Sequence, residues 1–330
     1  MDTGEKFMAL CCEPISCVPR IALSETAEES VKAFERMRSE IIEETIKISL
    51  SENLVSDEER RYTSGCAKCV RFQLNDWKSE KLISRIILSM YPAPCQCRCI
   101  YCNRHSNESG IFKEQFHAEG YEKVFDVIEW ARNNDMIASN AIWILTSGEI
   151  TIHPYRDKIF NLVKGKATIF YTNCFVFDER IMINLAENPK STIVLSIDCG
   201  TKETWYKIKG VNNFYTVMNN LILYSTKSTH PGQIILKYIV LPGINDNLTD
   251  FLSVIDIMKT LKISHLSIAR NDHLKYWCNE EQREILLTAV GYLMAMLNKN
   301  DLTMDLNKYS PSENKMAYSI ANDFLKNGVV

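Results

Sequence analysis

From about residue 84 the chain alternates between short apolar runs rich in β-branched residues and longer amphipathic runs. The strand candidates are residues 84–91, 141–148, 167–173, 192–198, 233–241 and 265–269. Each is nearly continuously apolar, the pattern of parallel strands covered on both faces. Helix candidates lie between them at 114–135, 155–165, 179–188, 212–227, 248–262 and 280–299. In the first, Phe116, Tyr121, Val124, Val127, Ile128 and Ala131 recur at helical spacing. Strand–helix alternation through six such units predicts a parallel α/β fold with right-handed crossovers. Six units suit a partial (βα)6 TIM-like barrel better than a closed eight-fold one, with an open doubly wound sheet as the structural alternative.

Residues 1–83 lack this alternation and read as a Cys-rich N-terminal extension to a barrel over residues 84–300. The extension carries one long helix candidate, residues 27–50, for which Thr26 and Glu29 offer a capping box. The tail, 301–330, is mixed and offers one last short helix within 308–328.

Composition narrows the chemistry. A net charge of -3 leaves no basic footprint for nucleic acid. A hydrophobic fraction of 46% is that of an ordinary globular chain. No apolar segment is long enough to cross a bilayer, so no membrane partner is expected. The start, "MDTGEKFMALCCE", lacks the basic region and apolar core of a signal peptide, so a cytoplasmic location is expected. In that compartment thiols stay reduced, and the chain's 12 cysteines point to metal binding or chemistry rather than disulfides.

The densest cysteines are in "CQCRCIYC", residues 95–102, in the first strand-to-helix loop. Loops at the carboxyl ends of barrel strands build active sites. A zinc site usually pairs two separated C-x2-C elements or adds nearby His ligands. Here Cys95, Cys99 and Cys102 stand at C-x3-C-x2-C spacing in one loop, so three thiolates would leave one iron of a four-iron cubane open.

This stretch resembles the signature of the radical S-adenosylmethionine (radical SAM) superfamily, C-x3-C-x2-C with an aromatic residue before the third Cys, here Tyr101. Other elements follow in order. "TSGEIT" (146–151) resembles the family's "GGE", with Ser147 for the first Gly, and "YTNC" (171–174) resembles "TNG", with Cys174 for Gly. "LSIDCGTKETWYKIKG" (195–210) and "LKYIVLPGIND" (236–246) resemble its fourth- and fifth-strand segments, so the resemblance covers residues 84–272. It implies a [4Fe–4S] cluster on Cys95, Cys99 and Cys102, with Cys97 extra, and S-adenosylmethionine on the open iron. It implies reductive cleavage of that molecule and abstraction of a hydrogen atom from substrate by the 5′-deoxyadenosyl radical. Gly148 would let backbone approach the methionine, Glu149 would accept from its amino group, and Tyr101 would pack on the adenine. Ser196 and Asn173 would reach the carboxylate or ribose, or only cap strand ends.

A second cysteine group, Cys11, Cys12 and Cys17 with Cys66 and Cys69, resembles half of a SPASM or twitch domain, displaced to precede the barrel. Cys12, Cys17, Cys66 and Cys69 would make a full ligand set for a second [4Fe–4S] cluster, with Cys11 spare or replacing Cys12 and zinc as the alternative. At the barrel mouth, the thiols of Cys199, Cys174 and Cys278 would return a hydrogen atom to a substrate radical or simply fill space. Lys237, Arg270 and Asp198 would bind substrate or form an internal charged network, and His105, His153 and His273 read as solvated loop histidines. The expected protein is a radical SAM enzyme, most readily an epimerase or dehydrogenase, with cross-linking as a further outcome. Its substrate would be a peptide or a small, sugar-type molecule, and its reductant a protein such as flavodoxin or ferredoxin. The rival from another class is a non-catalytic iron–sulfur or zinc protein on the same scaffold.

Overall fold

Short β-branched runs form the strands, and helices with polar caps return the chain between them. The computed structural model describes residues 7–9, 20–50, 82–89, 94–102, 118–146, 148–271 and 280–330. The chain divides into two compact units: Met1–Pro92 with Gln115–Trp143, and Ala93–Glu114 with Ile144–Val330.

In the first unit, β1 (Phe7–Ala9) pairs antiparallel with β2 (Arg20–Ala22). Helix α1 (Ala27–Leu50) follows, and the Thr26 hydroxyl accepts the Glu29 N–H at 3.2 Å, as the capping pattern predicts. Met8, Val31 and Val127 form the unit's core, with Ile21, Phe34 and Trp130 against it. Val127 lies on α2 (Ala118–Asn133). The unit also contains β3 (Ile83–Ser89), whose Ile83 N–H donates to Met136 O at 2.7 Å.

The second unit carries β5 (Thr168–Thr172), β6 (Thr192–Ser196), β7 (Ile234–Ile239), β8 (His265–Ala269) and β9 (Thr303–Asn307), each parallel to the next. With β3 and β4 (Ile137–Thr146) the sheet has seven strands in chain order. The order runs from β3 to β9 without returning, so the sheet is open, as a partial barrel requires. The helices are α3 (Arg156–Val163), α4 (Glu179–Glu187), α5 (Lys202–Lys209), α6 (Phe214–Lys227), α7 (Leu248–Leu261), α8 (Glu280–Lys299) and α9 (Pro311–Lys326). Asp178, Thr201 and Asn247 cap α4, α5 and α7 through their side-chain oxygens.

Two features depart from the sequence pattern. The seventh strand, β9, was not anticipated, because "TMDLN" alternates and is mostly half-exposed, as edge strands are. The strands are also not apolar on both faces. Leu195, Leu236 and Leu266 share one register row and are fully buried. The next row, on the opposite face, is Ser196, Lys237, Ser267 and Asp305. Lys237, Ser267 and Asp305 of this row line a cavity of about 140 Å³ together with Tyr171 and Asn307.

His153 corrects the expectation of a solvated loop residue. It is 0% exposed, and its Nδ1 accepts the Tyr155 N–H at 3.1 Å. Burial lowers its pKa from 6.5 to about 4. A histidine kept neutral in the fold but free to protonate when unfolded stabilises the fold above pH 6.5, and that contribution is lost as pH falls toward 4. Urea unfolding at pH 7 and pH 4 should show an acid-linked loss that is smaller by about 3 kcal/mol in His153→Gln than in the wild type. Equal losses would contradict the burial account.

Candidate active site

The cysteine loop is built onto the end of a helix. An α-helix leaves its last carbonyls without intrahelical partners. At the end of α5, Lys209 O accepts the Arg98 N–H at 2.7 Å and Ile208 O accepts the Ile100 N–H at 2.9 Å. The loop is thus the cap of α5. Gly210 ends the helix at φ 66°, and a Cβ there would stand 3.0 Å from Arg98 Cβ and 3.2 Å from Arg98 O. Only glycine fits both the left-handed turn and the close approach. Within the loop, the Cys102 N–H donates to Cys99 O at 2.9 Å.

Beneath the loop lies a buried charged network. Lys209 is 1% exposed and Asp198 0%. Lys209 Nζ donates to Asp198 Oδ2 at 2.5 Å and to the Tyr101 hydroxyl at 2.8 Å, and that hydroxyl donates to the same carboxylate oxygen. Asp198 Oδ1 accepts the Ile239 N–H at 2.7 Å. Burial works against the Lys209 ammonium, but Asp198 and the Cys99 sulfur hold its pKa above the usual lysine value. Burial and the Asp198 charge push the Tyr101 phenol up. Asp198 therefore belongs to a charged network, one of the two roles weighed for it. Tyr101 commits its hydroxyl to that network and leaves its ring for packing.

The facing wall comes from the ends of β4 and β5. Gly148 has φ 126°, a conformation that a side chain would strain. Glu149 is 1% exposed. Its Oε1 accepts from Thr151 N–H at 3.2 Å, Thr151 Oγ1 at 2.8 Å and Thr172 Oγ1 at 2.8 Å. Its Oε2 accepts the Asn173 N–H at 2.7 Å. Burial raises the Glu149 pKa, and these donors oppose the rise. The residue expected to meet S-adenosylmethionine is thus first a brace between two strand ends. Asn173, held by that brace, extends Nδ2 to Gln96 Oε1 at 3.1 Å and to Cys95 Sγ at 3.6 Å.

The thiols themselves suit an iron–sulfur group. Hydrogen bonds from Cys97 hold the Cys95 and Cys99 thiols down against burial, with Cys99 at about 6, while Cys97 itself is pushed up. Cys99 is poised as a thiolate, the form that binds metal, the Cys95 thiol is shifted in the same direction, and Cys97 keeps its proton between them. Among the described residues no three His, Cys, Asp or Glu side chains stand together as a single ion requires. An all-sulfur donor set along one loop matches a cluster held around its edge.

Ser196 lies beside Lys237 in the polar row. Cys199 is 0% exposed, and burial pushes its thiol pKa up. Cys174 is also buried, at φ 54°, and Asn220 Nδ2 donates to its carbonyl at 2.8 Å. Arg270 NH1 donates to Glu313 Oε2 at 3.2 Å, so it joins a charged contact. Cys11, Cys12, Cys17, Cys66, Cys69, His105, Ser147, His273 and Cys278 lie outside the described residues.

Sequence reasoning missed Lys209 and Thr172. Trp205, Ile208 and Lys209 occupy one buried helix face at i, i+3 and i+4, and this spacing was the available signal for the lysine. Glu149→Gln would turn an amide N–H toward at least one donor now facing the carboxylate. It should lower stability by about 1–3 kcal/mol in urea unfolding. An unchanged midpoint would remove Glu149 from its bracing role.

Comparison with known proteins agrees with this geometry. The structure of Streptococcus suis SuiB bound to S-adenosylmethionine is similar with a TM-score of 0.51 at 15% identity, covering 89% of this chain and 68% of that one. SuiB bound to the precursor peptide SuiA gives a TM-score of 0.50 at 15% identity, over 93% of this chain and 70% of that one. Identities this low show a shared fold. No curated protein matches the chain in sequence. The family model described as the radical SAM superfamily matches residues 94–255, and this segment, which carries Cys95, Cys99, Cys102, Glu149 and Asn173, is a radical SAM superfamily domain.

Proposed function

We propose that this protein is an enzyme that abstracts a hydrogen atom from a peptide or small-molecule substrate. The observation that carries the reading is the loop of Cys95, Cys99 and Cys102, capping α5 and touched by Asn173. Those three residues would hold a [4Fe–4S] cluster, which when bound supplies the electron that cleaves S-adenosylmethionine to methionine and a 5′-deoxyadenosyl radical. The chain's own groups position and shield. Gly148 offers backbone without a side chain, Asn173 keeps an amide at Cys95, and Tyr101 presents a ring whose hydroxyl is already tied down. Ser196 and Lys237 stand side by side in the polar row, and Lys237 lines the cavity, suited to a ligand carboxylate. A peptide substrate draws support from SuiB, whose fold this chain shares and which was crystallised with precursor peptide SuiA. A ferredoxin or flavodoxin is the class of reductant such chemistry needs. No described helix is long and apolar enough to cross a membrane. The N-terminal Cys12, Cys17, Cys66 and Cys69 are proposed to hold a second [4Fe–4S] cluster, because they offer four thiolates in a segment separate from the first set.

One series of proteins tests both parts. Reconstituted wild type with dithionite and S-adenosylmethionine should release 5′-deoxyadenosine, and the Cys95→Ala/Cys99→Ala/Cys102→Ala variant should release none. That variant should lose about four irons per chain yet keep iron and sulfide at the N-terminal set. Undiminished release would sink the enzyme assignment. Zinc without sulfide in the variant would replace the second cluster with a zinc site.

A further inference from the structure

The cysteine loop occupies an electrostatically awkward place. It caps the carboxyl end of α5, the negative pole of the helix, which carries roughly half an elementary charge. Anionic sulfur is disfavoured there. One buried positive group lies under the same loop. The Lys209 ammonium meets Asp198 and the Tyr101 hydroxyl, and the rings of Tyr101 and Trp205 flank it at 5.2 and 5.5 Å. Aromatic walls and burial leave its field poorly screened. The Asp198 carboxylate opposes that field, and it accepts from the Ile239 amide and the Tyr101 hydroxyl as well as from the ammonium.

The holding and charging roles of Lys209 reside in different atoms. Its backbone carbonyl receives the Arg98 amide, a bond that any residue at this position would keep. The side chain is not needed for that bond, yet it buries a full charge at considerable desolvation cost.

We propose that Lys209 is a positioning residue whose buried ammonium sets the reduction potential of the iron–sulfur group on Cys95, Cys99 and Cys102, favouring its reduced, more negative state. The inference rests on the cluster reading given under Proposed function. It assigns Asp198 the opposite sign: the carboxylate orients the ammonium and partly offsets it.

The test is a redox titration of the reconstituted protein, reading the ratio of reduced to oxidised cluster by electron paramagnetic resonance at fixed solution potential. Lys209→Met should lower that ratio about tenfold, equal to 59 mV for a one-electron couple. Lys209→Arg should stay near wild type, and Asp198→Asn should raise the ratio. The double variant Lys209→Met/Asp198→Asn should return within about threefold of wild type. A loosened loop has no such sign pattern: it would move both single variants the same way. Equal ratios in all variants, or parallel shifts in Lys209→Met and Asp198→Asn, overturn the proposal. If Lys209→Met fails to bind iron, Lys209→Arg and Asp198→Asn decide: wild-type and raised ratios support it, and an unchanged or lowered Asp198→Asn ratio overturns it. A wild type that assembles no iron–sulfur group at Cys95, Cys99 and Cys102 refutes the cluster reading instead, and this inference with it.

Discussion

The site depends on one buried ion pair, Asp198 with Lys209. Both side chains are withdrawn from water, so neither can lose its partner cheaply: breaking such a pair typically costs about 3–5 kcal/mol. The pair fixes three things together. Asp198 at the end of β6 grips the Ile239 amide on β7. Lys209 anchors the last turn of α5. Tyr101, bonded to both, ties the cysteine loop to that end. The loop repays the arrangement by satisfying the last carbonyls of α5, at Ile208 and Lys209.

The opposite wall follows the same economy with a different charge. Among the described residues Glu149 has no salt bridge; four hydrogen bonds from Thr151, Thr172 and Asn173 support its carboxylate. That brace fixes Asn173, whose amide reaches Cys95. Two buried acids, one after β4 and one after β6, thus orient one loop from two sides. Hydrogen bonds and charges around cluster sulfurs are the protein's means of tuning an iron–sulfur group, and both kinds are present here.

Much of this was legible in the chain. The β-branched runs located β5, β6, β7 and β8 within a residue or two, because buried parallel strands need that composition. The C-x3-C-x2-C spacing and the GE and TN dipeptides marked the loop and strand ends that converge. What stayed hidden depends on tertiary context. β9 reads as polar tail because an edge strand needs no continuous apolar run. His153 looks like a loop histidine because nothing local reveals that it is buried. Lys209 looks like a solvated helix lysine; only its place beside Trp205 and Ile208 on the buried face betrays it. The polar row of Ser196, Lys237, Ser267 and Asp305 is split among four strands, so no window of sequence contains it.

The central claim is that the chain itself preforms the cysteine loop, before any metal binds, by making it the cap of α5. Amide hydrogen exchange of the metal-free protein tests this most directly. The account predicts that the Arg98 and Ile100 amides, bonded to Lys209 O and Ile208 O, exchange at least about a hundredfold more slowly than unstructured amides. Exchange of both at the unprotected rate would contradict it and make the loop a product of metal binding.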